Sequence, residues 1–158
     1  MGHVRTLTRG TRAPDFELQD QAGRPRRLST LLERGSVVLF FYPAALTAGC
    51  TREACHFRDL HEEFEEVGAR PVGISPDHVE KQARFDAKES LGLLLLSDAG
   101  GSVAAAYGVR RRFLTPVRRA TFVIGRDGVV SEVVTSEFSM HLHADQALAA
   151  LRAGVRAG

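Results

Sequence analysis

The two cysteines of this 158-residue chain lie five positions apart. Cys50 and Cys55 fall within the segment FFYPAALTAGCTREACHFRD, which begins with apolar, strand-forming residues. Two cysteines at this spacing could form a disulfide, supply part of a metal site, or act as a reactive thiol with a helper. Each possibility needs a different setting, so the elements around the pair must decide between them.

The setting of Cys50 favours a reactive thiol. Ser36–Tyr42 is a continuous apolar run typical of a buried strand, and Thr51–Val67 carries apolar residues at helical spacing. The first turn of a helix has unpaired backbone N–H groups and the positive end of the helix dipole, and both stabilise a thiolate. The thiolate is the nucleophilic form of cysteine. A buried structural cysteine is the alternative, and it would not need this junction between strand and helix.

Composition and charge place the chain among ordinary globular proteins. Hydrophobic residues make up 44% and charged residues 25%, and the formal net charge is only +2, so no overall basic field favours nucleic acid. No apolar run has membrane-spanning length, and the start MGHVRTLTRG lacks the apolar core of a secretion signal. We therefore expect a cytoplasmic protein, in a reducing compartment where paired cysteines are more often catalytic or metal-binding than structural.

Strands and helices alternate along the chain, which predicts a single α/β domain over residues 1–158 with a central mixed sheet flanked by helices. An N-terminal β-hairpin is expected from Phe16–Gln19 and Arg26–Leu28. The later predicted elements are, in chain order, a strand Arg70–Ser75, a helix opened by a capping box of Asp77 and Glu80 and ending near Ser90, a strand Leu93–Leu96, a helix Ser102–Tyr107, strands Arg119–Gly125 and Val129–Val134 around the turn Arg126-Asp127-Gly128, and a closing helix His143–Leu151. This order is compatible with a thioredoxin-like architecture.

The residues around Cys50 resemble the active-site motif of the peroxiredoxins, which are thiol peroxidases on a thioredoxin-like fold. Pro43-x-x-x-Thr47-x-x-Cys50 matches that motif, and Gly49–Asp59 is similar to the Q-type subfamily, also called bacterioferritin comigratory proteins. Further matches along the chain are Ala13-Pro14-Asp15-Phe16, Leu96-Ser97-Asp98, Ala106-Tyr107-Gly108-Val109 and Arg119-x-Thr121-Phe122. The chain departs from many relatives at Ala44-Ala45, where they carry charged residues, and at Ala48, where they carry proline.

The resemblance implies a role for each residue of the motif. Cys50 would be the peroxidatic nucleophile, which attacks the peroxide and becomes a sulfenic acid. The Thr47 hydroxyl would lie beside the sulfur and bond the peroxide, and Pro43 would limit access of water. Arg119 would hold the thiolate and stabilise charge as the O–O bond breaks. Glu53 lies three residues after Cys50 on the helix, so it could orient the Arg119 guanidinium; a solvated acid in the first helical turn is the alternative.

Cys55 would be the resolving cysteine, which forms an intramolecular disulfide with Cys50. The resemblance implies hydroperoxides as substrates, no flavin, haem or metal cofactor, and thioredoxin or a similar thiol reductant as the partner that restores the dithiol. A disulfide within one chain does not require a second subunit, so we expect a monomer rather than an obligate oligomer.

The five-residue spacing has a geometric consequence if both cysteines share a regular helix. Their Cα atoms would then be about 8–9 Å apart, beyond the usual disulfide range of about 4.4–6.8 Å. Either the segment between Cys50 and Cys55 is irregular, or its helix must unwind after Cys50 is oxidised. We favour unwinding, because a folded helix N-terminus is what activates Cys50 in the reduced state.

Two other interpretations remain open from the residues alone, and a third lacks its motif. A zinc site could draw on Cys50, Cys55, His56, His61, His141 and His143, although structural zinc sites usually contain closer cysteine pairs. A disulfide oxidoreductase of thioredoxin type would carry Cys-x-x-Cys, which the sequence lacks. A binding module could use the basic cluster Arg110–Arg112 with Arg118 to contact nucleic acid or an acidic protein.

Overall fold

The fold is built on one seven-stranded mixed sheet, in a computed structural model that describes residues 5–111 and 114–157. The strands are β1 Glu17–Asp20, β2 Pro25–Arg27, β3 Ser36–Phe41, β4 Ala69–Ser75, β5 Leu94–Ser97, β6 Ala120–Ile124 and β7 Val130–Thr135. Their order across the sheet is β2-β1-β5-β4-β3-β6-β7. The pairs β3–β4 and β4–β5 are parallel, and the other neighbouring pairs are antiparallel. The predicted mixed sheet and N-terminal hairpin are confirmed.

Helices pack on both faces of this sheet. They are α1 Leu28–Leu32, α2 Ala48–Asp59, α3 His61–Glu66, α4 Val79–Glu89, α5 Ser102–Ala106 and α6 Met140–Ala157. Among the residues that the structure describes, no helix is long and apolar enough to cross a membrane.

The central strand β3 is buried on both faces, as its unbroken apolar run predicts. Val37 and Leu39 face one core cluster, while Val38 and Phe40 face the cluster beneath α2 and α6. The Phe40 ring stacks on Phe57 of α2, with ring centroids 4.2 Å apart. This stacking fixes the C-terminal half of α2 against the sheet, and so places its N-terminus at the end of β3.

Three helix boundaries differ from the sequence prediction. The single helix predicted over Thr51–Val67 is two helices, because Leu60 leaves the helical conformation (φ −96°, ψ 12°) between α2 and α3. The closing helix begins at Met140, so His143 lies inside it rather than at a polar start. Leu28, expected to end a strand, begins the short helix α1, which the sequence pattern did not reveal.

The predicted capping box at the start of α4 is wrong. The helix begins at Val79 after His78, and no side chain caps its first turn. The Asp77 carboxylate turns instead toward the loop after β3, where Oδ2 accepts the backbone N–H of Ala45 at 2.6 Å and the hydroxyl of Ser75 at 2.8 Å. A carboxylate that can bond an otherwise unpaired loop amide gains more there than at an exposed helix end.

Candidate active site

The loop between β3 and α2 carries Pro43 and Thr47. Leu46 has a φ of +67°, a left-handed conformation that costs energy for a residue with a side chain. The Thr47 hydroxyl donates to the carbonyl oxygen of Ala44 at 2.7 Å, which leaves its oxygen lone pairs free. Thr47 is exposed and Pro43 half-buried. The hydroxyl predicted to bond the peroxide is therefore held by its own loop, at the N-terminus of α2.

Cys50 lies in the first turn of α2, as predicted, and is almost fully buried. Its Sγ accepts a hydrogen bond from Nη2 of Arg119 at 3.3 Å. Arg119 can reach the sulfur because β6 runs antiparallel to β3 with Ala120 opposite Phe41, which places the residue before β6 beside the C-terminal end of β3. A cation and a helix N-terminus thus converge on one sulfur, and both favour its thiolate.

Glu53 lies on the other side of the Arg119 guanidinium and is not the solvated acid that its helical position also allowed. Its Oε1 accepts Nη1 of Arg119 at 3.0 Å, and the carboxyl is completely buried. Within the described residues, Oε2 has no hydrogen-bond partner. Burial raises the pKa of Glu53 to about 8, although the Arg119 charge opposes the rise. Burial lowers the pKa of Arg119, but Glu53 and Cys50 outweigh it and raise that pKa, so the guanidinium stays charged.

Behind Glu53 lies His143, whose role sequence reasoning missed. Its Nε2 is 2.8 Å from the carbonyl oxygen of Ser136, which can only accept, so Nε2 carries the proton. Its Nδ1 then accepts the Thr121 hydroxyl at 2.9 Å. Nε2 is also 3.6 Å from Oε2 of Glu53, and burial lowers the pKa of the imidazole. The chain of buried groups therefore runs from Cys50 through Arg119 and Glu53 to a neutral histidine.

Cys55 lies on the same helix but in a different environment. It is half-buried, and its thiol donates to Oε2 of Glu89, at the end of α4, with a sulfur–oxygen distance of 3.8 Å. Burial raises the pKa of the Cys55 thiol; Arg58 lowers it, and the nearby Glu89 raises it further. Both cysteines are free thiols in one continuous helix. A regular helix keeps the Cα atoms of residues five positions apart beyond disulfide range.

A second acidic residue, Glu137, follows β7 in the chain and bonds the backbone of Arg119. Its Oε1 accepts the backbone N–H of Arg119 at 3.2 Å and Nη2 of Arg111 at 2.8 Å. Arg111, expected in a basic cluster, is thus paired with a carboxylate, and Arg112 of that cluster lies outside the described residues. The pair formed by Arg111 and Glu137 thus helps to position Arg119.

Among the described residues, the side chains considered for a zinc site do not form one metal-binding group. His56 stacks on His141 with ring centroids 4.1 Å apart, and its Nε2 is 2.7 Å from Oδ1 of Asp145. His143 is buried against β6. Over residues 5–111 and 114–157, no group of three or more His, Cys, Asp or Glu side chains is arranged to hold a metal ion.

Comparison with known proteins agrees with this fold. Residues 9–133 match the AhpC/TSA family. The crystal structure of the peroxidoxin BcpB from Mycobacterium tuberculosis superposes with a TM-score of 0.90 at 59% identity, covering 93% of this chain and 97% of that chain. A chloroplastic peroxiredoxin Q from Sedum lineare is 42% identical over 147 residues, which are 92% of this chain and 78% of that protein. A Xanthomonas campestris peroxiredoxin Q structure superposes with a TM-score of 0.81 at 30% identity, covering 87% and 90% of the two chains.

The chain belongs to the AhpC/TSA family and is a peroxiredoxin, an enzyme that reduces peroxides with a cysteine thiol on a thioredoxin-like fold. Within that family it is of the Q type, the group that includes the bacterioferritin comigratory proteins. The predicted fold class, family and enzyme class are therefore confirmed.

Proposed function

We propose that Cys50 is the peroxidatic cysteine and Cys55 the resolving cysteine of this peroxidase. The observation that carries the proposal is the unequal setting of the two thiols. The Cys50 sulfur accepts a hydrogen bond from the Arg119 cation at 3.3 Å in the first turn of a helix. The Cys55 thiol instead donates to a carboxylate. The first setting stabilises a thiolate and the second a neutral thiol.

In the first step the Cys50 thiolate attacks the terminal oxygen of the hydroperoxide. A sulfur–oxygen bond forms, the O–O bond breaks, and Cys50 becomes a sulfenic acid while the leaving oxygen takes a proton to give an alcohol or water. Arg119 stabilises the negative charge that moves from sulfur to the leaving oxygen. Its Nε–H group is buried and, among the described residues, lacks an acceptor.

The other motif residues orient these groups. Glu53 holds Nη1 of Arg119, so that Nη2 points at the sulfur. Thr47 keeps an oxygen available at the exposed mouth of the site and bonds the bound peroxide. Pro43 lies half-buried at the end of β3 and limits access of water to the sulfur.

The second step joins Cys55 to the Cys50 sulfenic acid as an intramolecular disulfide, with release of water. Both residues lie in α2, and a regular helix holds their Cα atoms about 8–9 Å apart, so the helix must unwind locally for the bond to form. Thioredoxin or a similar thiol reductant then returns the disulfide to the dithiol by exchange. The enzyme needs no metal or organic cofactor, because sulfur carries the electrons.

We propose hydrogen peroxide and organic hydroperoxides as substrates. Alkyl peroxide reduction is described for a Xanthomonas campestris bacterioferritin comigratory protein of the same fold, at 29% identity. The cytoplasmic location, the single-domain organisation, the monomeric state and the absence of nucleic-acid binding stay predictions from the sequence.

Turnover with peroxide and a thioredoxin system tests the proposal. Replacing Cys50 with serine should abolish peroxide consumption, because a neutral hydroxyl cannot replace the thiolate. Replacing Cys55 with serine should allow one oxidation event but impair recycling by thioredoxin. Undiminished turnover by the Cys50→Ser variant would overturn the assignment.

A further inference from the structure

The resolving step must remove the proton of the Cys55 thiol, and none of the residues assigned so far accepts it. Cys55 is half-buried, and burial together with its carboxylate neighbours raises the pKa of its thiol, so at neutral pH it carries a proton. A thiol attacks a sulfenic acid effectively only as it loses that proton. A group in hydrogen-bond contact with the Cys55 sulfur would therefore accelerate disulfide formation by accepting it.

One side chain meets this requirement in the described structure. The Cys55 thiol donates to Oε2 of Glu89 across the gap between α2 and α4, with a sulfur–oxygen distance of 3.8 Å. The other charged groups that affect Cys55 are Arg58 and Asp59, both on its own helix. Arg58 is a cation and cannot accept a proton, and Asp59 is paired with it at 3.0 Å.

The backbone around this contact is anchored. Nη1 of Arg58 donates to the carbonyl oxygen of Glu89 at 2.6 Å, which ties α2 to the end of α4. Phe57 is fully buried and stacks on both Phe40 and Phe64. Because these contacts lie just after Cys55, the part of α2 nearer to Cys50 can unwind while Cys55 stays beside Glu89.

We propose that Glu89 is the general base of the resolving step, a catalytic residue for the second half of the peroxidase reaction. As the Cys55 sulfur attacks the sulfur of the Cys50 sulfenic acid, the S–H proton passes to Oε2 of Glu89. The new S–S bond forms as the S–OH bond of Cys50 breaks, and the departing hydroxide takes the proton from Glu89 and leaves as water. Glu89 is regenerated, and no proton is gained or lost overall.

This inference rests on the proposed roles of Cys50 and Cys55. It gives two charged groups opposite effects on the two sulfurs. Arg119 stabilises the anionic form of the first sulfur. Glu89 keeps the second sulfur protonated, and hence unreactive toward peroxide, until a sulfenic acid is within reach. The same carboxylate then removes the proton.

The test is the rate of disulfide formation in single turnover, measured by rapid mixing with peroxide, quenching and mass spectrometry. The chain has no tryptophan, so mass is a more direct signal than fluorescence. The variant is Glu89→Gln, which keeps an oxygen that accepts the S–H hydrogen bond but cannot take its proton. The anchor from Arg58 is unaffected because it uses the backbone carbonyl of residue 89.

We expect Glu89→Gln to slow disulfide formation at neutral pH by about 10²-fold or more, a typical loss for a general base. Formation of the Cys50 sulfenic acid should be unchanged. The slow rate should rise about tenfold per pH unit and approach that of the unmodified enzyme once Cys55 ionises, because a free thiolate needs no base. If the substitution only disturbed the structure at the end of α4, the rate would not depend on pH in this way.

Two control variants separate base catalysis from charge. Glu66→Gln removes an exposed carboxylate from the last residue of α3, as Glu89 is the last residue of α4, and should leave both steps unchanged. Asp59→Asn removes a charge that raises the Cys55 pKa without contacting its sulfur, and should not slow the resolving step. A Glu89→Gln enzyme that resolves as fast as the unmodified one, or faster, would show that Glu89 only retains the proton, and would overturn the proposal.

Failure of this inference is distinguishable from failure of the proposed function. If the unmodified enzyme never forms the Cys50–Cys55 disulfide, the role of Cys55 is wrong, and that of Glu89 with it. If the disulfide forms and Glu89→Gln does not slow it, only the role of Glu89 is wrong.

Discussion

The sulfur of Cys50 lies 3.3 Å from Nη2 of Arg119, and the same guanidinium bonds Glu53 at 3.0 Å through Nη1. One cation therefore bonds two acidic groups, and all three side chains are buried. Two anions beside one cation in a buried site compete for its charge. The raised pKa of Glu53 favours the arrangement in which the carboxyl holds a proton.

Replacing Arg119 with methionine should reduce the ionised fraction of Cys50 at a given pH and slow its oxidation by peroxide. The loss should persist at a pH where Cys50 is fully ionised, by about 10²–10³-fold, because Arg119 also stabilises the transition state. Stopped-flow oxidation across a pH series measures both effects. Arg118→Met is the matched control; a pH-corrected rate for Arg119→Met equal to that of the control would make Arg119 a structural residue only.

Replacing Glu53 with glutamine should change how stability depends on pH. The folded-state pKa of Glu53 is raised to about 8 from an ordinary value of 4.5, so the folded protein binds a proton that the unfolded chain has lost. Stability therefore falls as pH rises between these values, by at most about 1.4 kcal/mol per pH unit. The Glu53→Gln variant has no carboxyl to titrate at this position. Its free energy of unfolding should therefore rise relative to that of the unmodified protein as the pH increases from 6.5 to 8.

Chemical denaturation at several pH values measures this difference, and burial lowers the pKa of His143 away from that range. A difference in unfolding free energy that does not vary with pH would mean that Glu53 is ionised in the folded protein, as a simple ion pair with Arg119 requires.

The loop that carries Thr47 depends on Asp77, which accepts the Ala45 N–H at 2.6 Å. Asp77→Ala should leave that amide unsatisfied and slow Cys50 oxidation by about 10–10²-fold through misplacement of the loop. Lys81→Ala is the control, because Lys81 pairs with the other oxygen of Asp77 at 3.0 Å and does not touch the loop. Equal oxidation rates for the two variants would contradict this role for Asp77.

Sequence patterns predicted the part of the site that lies close together along the chain. Cys50 at a helix start and Glu53 one turn later follow from local spacing, and the motif pointed to Arg119, which lies beside them. His143 and Glu89 were missed because their partners are distant in sequence, and a histidine or glutamate on a helix is ordinary. Asp77 was assigned to a helix cap because the pattern cannot show that a loop amide competes for the same carboxylate.

Disulfide formation should unwind α2 between the two cysteines. Hydrogen exchange should show protected amides from Ala54 to Arg58 in the reduced protein and lose that protection on oxidation, because in the intact helix these amides bond the carbonyl oxygens of residues 50–54, the segment that unwinds. The oxidised Cys55→Ser variant, which cannot form the disulfide, is the control and should keep more protection. Equal protection in both states of the unmodified protein, with the disulfide present, would exclude unwinding.

In the proposed reaction Cys50 is oxidised first, and Cys55 then resolves it. The most direct test of this order treats the reduced protein with one equivalent of hydrogen peroxide and maps the oxidised sulfur by peptide mass spectrometry. We expect a Cys50–Cys55 disulfide in the unmodified protein, a sulfenic or higher acid on Cys50 in Cys55→Ser, and no oxidation of Cys55 in Cys50→Ser on the same timescale. Rapid oxidation of Cys55 in the Cys50→Ser variant, with Cys50 remaining reduced in Cys55→Ser, would contradict this order.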